Sequence, residues 1–237
     1  MERSVIFDLD GTLADTSADL IAAANACFQR LGYGDVLDPV VDALVGFHGG
    51  RAMLRAGFGR VRPGWTEPDV DAWYPELLMA YADAIDRHTA LYPGVVPALD
   101  ALRQQGYKIG ICTNKPESLA ETLTQRLGIR DLFGALVGAD TLAHRKPHPA
   151  PYLETLRRIG GTVAGSFLLG DTQTDLDTAR AVGVPIALVS FGPTGAAVGD
   201  LAPDALLDHF ADLPALAARL TAQYPTGSPS PSFSTDR

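Results

Sequence analysis

The sequence predicts an α/β fold: a doubly wound parallel sheet, with helices on both faces, that is interrupted by an all-helical insertion. From Pro93 onward, short apolar runs alternate with segments of helical periodicity, which is the pattern of βαβ units. Before Pro93, one apolar run, ending at Phe7, predicts a buried strand, and only helical patterns follow it. Further strands are expected at residues 107–112, 135–138, 166–169, 185–190 and 204–207, and helices at 94–105, 116–127, 149–159, 175–182 and 213–222.

The region after the first strand is expected to be helical. Residues 17–31 place apolar side chains at helical spacing and stop before Gly32, a common helix terminator. Further helices are expected at 39–44, 50–56 and 68–87, and no strand pattern interrupts them.

These patterns divide the chain into three parts. A core is expected from residues 1–14 and 89–222, and a helical cap from residues 15–88. Residues 223–237 are too rich in Pro, Ser and Gly to pack, so this tail is expected to be disordered.

Two carboxylates, Asp8 and Asp10, directly follow the first strand, and Gly11 permits a tight turn there. Open α/β sheets bind ligands at the carboxyl ends of their strands, so both side chains can face one cleft. One carboxylate can then attack phosphorus while the other protonates the leaving oxygen and later activates water. Alternatively, Asp-Gly is an ordinary turn, and the aspartates only cap the following helix. Taken alone, this motif leaves both interpretations open.

Three later segments place polar side chains in loops after apolar runs or between them. Each has a plain structural explanation. Thr113 and Asn114 can cap the helix that follows, Lys146 can be an exposed loop charge, and the acids Asp171 and Asp175 can complement a helix dipole. Their fixed order along the chain favours a single functional site instead.

This order of two acids, a hydroxyl with an amide, a lysine and an acidic pair resembles the four signature motifs of the haloacid dehalogenase superfamily, in particular its phosphatase branch. The Thr-Asn-Lys and Lys-Pro-x-Pro forms look most like phosphoglycolate phosphatases. The resemblance extends from residue 1 to about residue 220 and implies a Rossmann-like core with a helical cap. It also implies that Asp8 is the nucleophile and Asp10 the general acid/base.

The resemblance assigns substrate contacts as well. Thr113 and Asn114 match the residues that hold the transferring phosphoryl group, and Lys146 matches the catalytic cation that neutralises it. Further candidates are Arg51, which ends a Gly-rich segment between two cap helices, and Arg55, and either can bind a substrate carboxylate in a forked geometry. The alternative is that the glycines only shape a turn and that Arg51 is a solvated side chain.

Magnesium is the metal that the resemblance implies. Asp171 corresponds to a ligand, joined by Asp8 and the main-chain carbonyl of Asp10, and Asp175 matches the acid that holds the metal indirectly. Apart from the resemblance, four carboxylates crowded into one site require a cation to offset their repulsion. Two unit charges about 4 Å apart interact by roughly 4 kcal/mol at an effective dielectric near 20. Magnesium takes oxygen ligands, whereas zinc favours His and Cys, and the sequence has no Cys/His ligand cluster.

The sequence therefore predicts a magnesium-dependent phosphatase that hydrolyses a small phosphate monoester through an aspartyl-phosphate, with 2-phosphoglycolate as the leading substrate. A sugar-phosphate phosphatase or a phosphosugar mutase would use the same chemistry on another substrate. A non-enzymatic phosphoacceptor of the receiver type also uses an acidic cluster, a Thr and a Lys. That module needs only about half of this length and no helical insertion.

Composition narrows the expected partners. Nineteen Lys and Arg against 28 Asp and Glu give a net charge of −9, which disfavours nucleic acid and favours a small phosphorylated metabolite. No apolar run approaches the roughly 18 residues of a membrane span, and no leader pattern is present, so a cytoplasmic protein without a membrane partner is expected. Cys27 and Cys112 are expected to be packing residues. A monomer or a homodimer is expected.

Overall fold

The structure is a computed structural model that describes residues 2–222, and the tail of residues 223–237 that was predicted to be disordered lies outside the described residues. Its strands are β1 (Ser4–Phe7), β2 (Ala14–Asp15), β3 (Ala90–Leu91), β4 (Lys108–Cys112), β5 (Ala135–Val137), β6 (Ser166–Gly170), β7 (Ile186–Val189) and β8 (Ala205–Leu207). Its α-helices are α1 (Ser17–Arg30), α2 (Ala43–Phe47), α3 (Gly50–Val61), α4 (Glu67–Asp83), α5 (Val95–Gln104), α6 (Glu117–Arg126), α7 (Ala150–Ile159), α8 (Gln173–Val182) and α9 (Leu213–Ala222). Within the described range, no helix has both the length and the apolar character that a membrane crossing requires.

The core is a six-stranded sheet in the order β5-β4-β1-β6-β7-β8, and its strand pairs are parallel. The predicted α/β class is therefore confirmed. In the centre of the sheet, Phe7 of β1 aligns with Ile111 of β4 and with Leu169 of β6. The chain order reverses at β1, because β4 and β5 lie on one side and β6 to β8 on the other. Sheets of this kind open a crevice at the carboxyl ends of the strands at this point.

Both faces of the sheet are covered by apolar side chains. Val5 and Phe7 of β1 belong to a core cluster that includes Leu99 of α5. Ile6, between them, belongs to a second cluster with Tyr152 of α7. Successive side chains of a strand point to opposite faces, so the central strand is buried on both sides, as its unbroken apolar run predicted.

The insertion between β2 and β3 contains helices α1 to α4. Phe28 of α1 and Phe58 of α3 meet edge to face, with ring centroids 5.4 Å apart. Gly57 allows this approach, because a Cβ at that position would lie 2.1 Å from the Phe28 ring. The helices of the insertion are those that the sequence predicted in number and order. The exact division into core and cap stays a prediction.

A short antiparallel pair, β2 and β3, joins the insertion to the core and was not predicted. Ala14 pairs with Leu91 where the chain enters and leaves the insertion. Nearby, the buried Asp19 carboxylate accepts hydrogen bonds from the N–H groups of His88 and Thr89 and from the Thr89 hydroxyl. The sequence analysis missed the pair because strands of two residues are too short for an alternating pattern.

Three helix boundaries in the insertion also differ from the predicted ones. Helix α2 begins later than predicted, because Asp38 accepts the N–H groups of Val40 and Val41 and holds them in a turn. Helix α3 extends beyond its predicted end, because Gly57 packs against Phe28 and does not break the helix. Helix α4 ends earlier than predicted.

Candidate active site

The carboxyl ends of β1, β4 and β6 meet at one edge of the sheet and bring the sequence motifs together. Asp8 follows β1, Thr113 follows β4, and Asp171 follows β6. A cleft of about 510 Å³ opens at this edge. Its wall on the insertion side includes Tyr74 and Tyr81 of α4. Motifs more than a hundred residues apart along the chain thus border one cavity.

Three carboxylates form an acidic cluster, of which Asp8 lines the cleft. One oxygen from each of Asp8, Asp171 and Asp175 lies within 4.8 Å of the others. Thr12 donates a hydrogen bond to Asp171 Oδ1 at 2.8 Å, whereas Asp171 Oδ2 is buried and has no hydrogen-bond partner in residues 2–222. A Cβ on Gly11 would lie 2.2 Å from Asp171 Oδ2, so the glycine lets this oxygen approach the loop. A buried, unpartnered oxygen in an all-oxygen cluster fits a hard divalent cation.

Burial perturbs the pKa values of two of these acids, Asp8 and Asp171. Burial raises the pKa of Asp8 to about 6, against the opposing effect of Lys146 and with a further increase from Asp175. Burial also raises the pKa of Asp171 well above its usual value, and the charges of Asp175 and Asp8 raise it further. Both shifts have the sign expected of buried acids whose negative charge is not fully compensated.

Lys146 supplies positive charge to this cluster from the loop before α7. Its Nζ lies 3.0 Å from Asp8 Oδ2 and 2.6 Å from Asp175 Oδ1, and its side chain is only 1% exposed. Burial alone would lower the pKa of Lys146, but the neighbouring carboxylates of Asp175 and Asp8 raise it above its usual value. The ammonium therefore stays charged at the base of the cleft.

Asp175 belongs both to the cluster and to the start of α8. Its Oδ2 accepts the N–H groups of Asp171 and Thr172 and the Thr172 hydroxyl, while its Oδ1 faces Lys146. Gly170 makes room for it, because a Cβ there would lie 2.4 Å from the Asp175 carboxyl carbon. The sequence analysis placed the helix start at Asp175. The structure starts it at Gln173, because Thr172 and Asp175 form a capping box.

The Asp10 carboxylate lies apart from the acidic cluster and faces Lys115. Both Asp10 oxygens accept hydrogen bonds from Lys115 Nζ, at 2.7 and 2.9 Å. The ring of Tyr81, from the insertion, lies 4.4 Å from the same Nζ. The sequence analysis quoted Lys115 in its motif but gave it no role. The two partners are 105 positions apart, and nothing in the sequence indicates their contact.

Thr113 and Asn114 border the cleft opposite Asp8. The Thr113 hydroxyl accepts the N–H of Lys115, and Asn114 Nδ2 donates to the carbonyl of Lys146 at 3.0 Å. Neither residue caps α6, whose N-cap is Pro116. Asn114 Oδ1 is buried and has no hydrogen-bond partner among the described residues. The structural alternative, in which Thr113 and Asn114 serve as a helix cap, is therefore wrong.

Comparison with known proteins decides the family. The family model of haloacid dehalogenase-like hydrolases matches residues 5–189. The chain belongs to this family. The phosphoglycolate phosphatase of Agrobacterium fabrum is 38% identical to it over 219 residues, which cover 92% of this chain and 94% of the relative. That of Rhodospirillum rubrum is 36% identical over 217 residues, which cover 90% of each chain. The resemblance drawn from the four motifs is thus confirmed, and this hydrolase is a phosphatase of the haloacid dehalogenase superfamily.

Solved structures share this fold. A crystal structure described as a predicted phosphoglycolate phosphatase from Haemophilus somnus has a TM-score of 0.80 and 24% identity, and the match covers 91% of this chain and 97% of that one. CbbY from Rhodobacter sphaeroides, crystallised in complex with phosphate, has a TM-score of 0.73 and 25% identity, with 90% and 96% covered. Both matches span the sheet and the helical insertion together.

Arg51, predicted to bind a substrate carboxylate, lines the cleft of this hydrolase but already has partners. Its guanidinium pairs with Asp71 and lies 4.5 Å from the ring centroid of Tyr74. Arg55, one turn further along α3, donates two hydrogen bonds of 2.8 Å to Glu67. A substrate carboxylate would have to compete with these acids for either arginine.

The cleft carries more positive than negative side chains, although the whole chain has a net charge of −9. Its acidic lining residues are Asp8 and Asp10. Its cationic lining residues are Arg51, Arg55, Lys115, Arg145 and Lys146. Four of these cations already pair with acids, Lys115 and Lys146 within the site and Arg51 and Arg55 with Asp71 and Glu67. The positive charge that remains available to an anionic ligand is that of Arg145, which has no acidic partner among residues 2–222.

Proposed function

We propose that this phosphatase is magnesium-dependent and hydrolyses a small phosphate monoester, 2-phosphoglycolate, through an aspartyl-phosphate on Asp8. The observation that carries the proposal is the meeting of Asp8, Asp171, Asp175 and Lys146 in one cluster, of which Asp8 and Lys146 line the cleft. The raised pKa values of Asp8 and Asp171 call for a second cation beside Lys146. A phosphate dianion could not approach Asp8 without such compensation.

The first step forms a bond between an Asp8 carboxylate oxygen and phosphorus while the bond from phosphorus to the ester oxygen breaks. Asp10, two residues on, gives a proton to the departing oxygen, which leaves as an alcohol. In the second step, Asp10 takes a proton from water as the water oxygen attacks phosphorus. The acyl-phosphate bond breaks, inorganic phosphate leaves, and the Asp8 carboxylate is restored.

The magnesium ion would be held by Asp8, Asp171 and the main-chain carbonyl of Asp10. Asp175 would hold it indirectly, by orienting its surroundings. The unpartnered Asp171 Oδ2 is the oxygen best placed to accept it. A bound magnesium ion would offset the negative charge of phosphate and carboxylates during transfer. Both oxygens of Asp175 are already engaged, one with Lys146 and one with the start of α8, so this residue fits an orienting role.

Lys146, Thr113 and Asn114 would hold the transferring phosphoryl group. Lys146 Nζ faces Asp8 and is fixed by Asp175, so it can meet the developing negative charge without reorganisation. The hydrogen bond from Asn114 Nδ2 to the Lys146 carbonyl orients this amide, and its buried Oδ1 has no hydrogen-bond partner among the described residues. Lys115 fixes the Asp10 carboxylate by two hydrogen bonds, which gives the proton carrier one defined position.

Residues 15–88 would act as the cap that closes over the bound substrate. Tyr74 and Tyr81 of this segment already face the cleft from the side opposite the sheet. Closure of such a cap excludes water until the phosphoester is in place, and protects the reaction from side reactions.

The substrate assignment rests on the relatives and on the cleft charge. Two relatives with 38% and 36% identity are named phosphoglycolate phosphatases. A cleft of about 510 Å³ with an excess of cationic side chains suits a small substrate that carries both a phosphate and a carboxylate. The predicted role of Arg51 in binding the carboxylate stays a prediction.

Phosphate release from a panel of phosphomonoesters tests the proposal. The wild type should release phosphate from 2-phosphoglycolate faster than from hexose phosphates or pyrophosphate, and EDTA should stop the reaction until magnesium is restored. Asp8→Asn should abolish release. Asp177→Asn, an exposed change on α8 whose carboxylate contacts only the Gln173 side chain, is the matched control and should retain activity.

Other outcomes distinguish the alternatives. Faster release from a hexose phosphate would assign a sugar-phosphate phosphatase. Interconversion of hexose phosphates without release of phosphate would assign a mutase. A phosphorylated Asp8 that persists without turnover would assign a phosphoacceptor. Full activity of Asp8→Asn would contradict its role as nucleophile.

A further inference from the structure

The cationic side chains of the cleft differ in whether an acid already neutralises them. Lys115 is paired with Asp10, and Lys146 with Asp8 and Asp175. Arg51 and Arg55 are paired with acids of the insertion, Asp71 and Glu67. Arg145 lines the same cleft and has no acidic partner among residues 2–222. Its guanidinium is therefore the cation that a second anionic group can reach without displacing a carboxylate.

The main chain that carries Arg145 is held in place on both sides. Its carbonyl accepts the N–H of His148 at 2.9 Å, and the next carbonyl, that of Lys146, accepts Asn114 Nδ2 at 3.0 Å. Lys146, directly adjacent, is anchored to Asp8 by its Nζ. Arg145 thus has a fixed backbone and a free, exposed head group, one residue from the cation that faces the nucleophile.

The neighbourhood of Arg145 is mostly apolar on the cleft side. It lines the cleft together with Tyr74 and Leu78 of α4 and with Pro116 and Leu119 at the start of α6. These four side chains carry no acid, so an incoming anion meets the exposed Arg145 guanidinium on this part of the wall without a competing carboxylate.

We propose that Arg145 is a specificity-determining residue that binds the second anionic group of the substrate, the carboxylate, while Lys146 meets the phosphoryl group. The inference rests on the proposed function, because it takes a phosphorylated carboxylic acid as the substrate. Lys146 contacts the phosphoryl group, which is transferred, and the adjacent Arg145 contacts the carboxylate, which is not. A guanidinium suits this task because its planar fork matches the two oxygens of a carboxylate.

The test compares two substrates that differ in one group. One is 2-phosphoglycolate, and the other is 2-hydroxyethyl phosphate, in which a hydroxymethyl group replaces the carboxylate. Arg145→Gln should lower kcat/KM for 2-phosphoglycolate by about 10- to 100-fold, mainly through KM, because the lost contact is equally present in the ground state and the transition state. Turnover of 2-hydroxyethyl phosphate should change by less than about twofold, which also reports that the variant is folded. Arg145→Lys should recover part of the loss.

Arg51→Gln and Arg55→Gln test the competing candidates for the same carboxylate, because they remove the same charge from arginines of the cleft that already have acidic partners. The proposal predicts a smaller selective loss in both than in Arg145→Gln. It is overturned if Arg145→Gln leaves the ratio of the two substrates unchanged, or if the selective loss appears in Arg51→Gln. A wild type that does not hydrolyse 2-phosphoglycolate would instead refute the proposed substrate itself, and with it this role of Arg145.

Discussion

Replacement of Lys146 by methionine tests how the acidic cluster is stabilised. Its Nζ lies 2.6 Å from Asp175 Oδ1 and 3.0 Å from Asp8 Oδ2, where unit charges at an effective dielectric near 20 attract by about 6 kcal/mol each. Desolvation of the three buried groups offsets most of this attraction. The net cost of removing one partner from a buried ion pair is about 3–5 kcal/mol. We expect a loss of this size in the free energy of unfolding of Lys146→Met.

Thermal unfolding in EDTA measures this loss. For a chain of this size, 1 kcal/mol corresponds to a shift in Tm of about 2–4 °C, so Lys146→Met should melt about 6–20 °C below the wild type. The matched control is Lys108→Met, because Lys108 pairs with Glu2 at 2.8 Å, but the two side chains are 36% and 53% exposed. An exposed pair contributes about 0–1 kcal/mol, so the control should melt within about 4 °C of the wild type.

Magnesium provides a second comparison. The difference in Tm between Lys146→Met and the wild type should become smaller when magnesium is added, because a divalent cation would supply the charge that the lysine no longer provides. If Lys146→Met melts as close to the wild type as Lys108→Met does, the cluster is stabilised in some other way, and the electrostatic reasoning is wrong.

Three further predictions address other parts of the molecule. Gly11→Ala should abolish magnesium-dependent stabilisation in thermal unfolding, because the new Cβ would lie 2.2 Å from Asp171 Oδ2 and the backbone has a φ of +79°; an unchanged response would contradict the placement of this oxygen at the metal site. Asp19→Ala should lower the free energy of unfolding by about 1–3 kcal/mol, because it removes the acceptor of the buried Thr89 N–H and of the partly buried His88 N–H, and a denaturant titration measures the loss. Burial raises the pKa of Cys27 to about 11 and that of Cys112 to about 12, so both thiols stay protonated below these values; native enzyme should therefore resist a thiol-specific disulfide reagent from pH 7 to 9, and rapid labelling at pH 8 would refute this.

The sheet could be predicted because its strands are short apolar runs of one kind. β1 and β6 are buried along their whole length, so Val5 to Phe7 and residues 166–169 contain unbroken apolar stretches with turn residues after them. The polar residues that follow these strands had to meet once the sheet was parallel. For this reason the sequence placed Asp8 and Asp171 beside each other although many residues separate them.

The insertion was harder to predict in detail because its helix ends depend on tertiary contacts. The predicted helix ended at residue 56, but the Phe28 ring occupies the space that a side chain at Gly57 would need, and the helix continues past this glycine. The start of α2 depends on the Asp38 carboxylate, which holds the preceding residues in a turn. The pairing of β2 with β3 joins two-residue segments, which no periodicity can indicate.

Within the candidate site, the acids and Lys146 could be predicted from the sequence, whereas two other partners of the acids, Thr12 and Lys115, could not. Thr12 orients Asp171, and Lys115 fixes Asp10, yet both contacts join residues more than a hundred positions apart. The identity of a hydroxyl or lysine residue next to a motif does not indicate which distant residue it will contact. The predicted role of Arg51 was based on its position in a Gly-rich segment, and its pairing with Asp71 could not be foreseen from that position.

A crystal structure of the enzyme soaked with magnesium and beryllium fluoride, a mimic of an acyl-phosphate, would test the central claim most directly. We expect a trifluoroberyllate group bonded to the Asp8 carboxylate, within reach of Lys146, and a magnesium ion bound by Asp8 and Asp171. Beryllium fluoride bonded to Asp10 or to another carboxylate, or a magnesium ion bound away from Asp171, would contradict it.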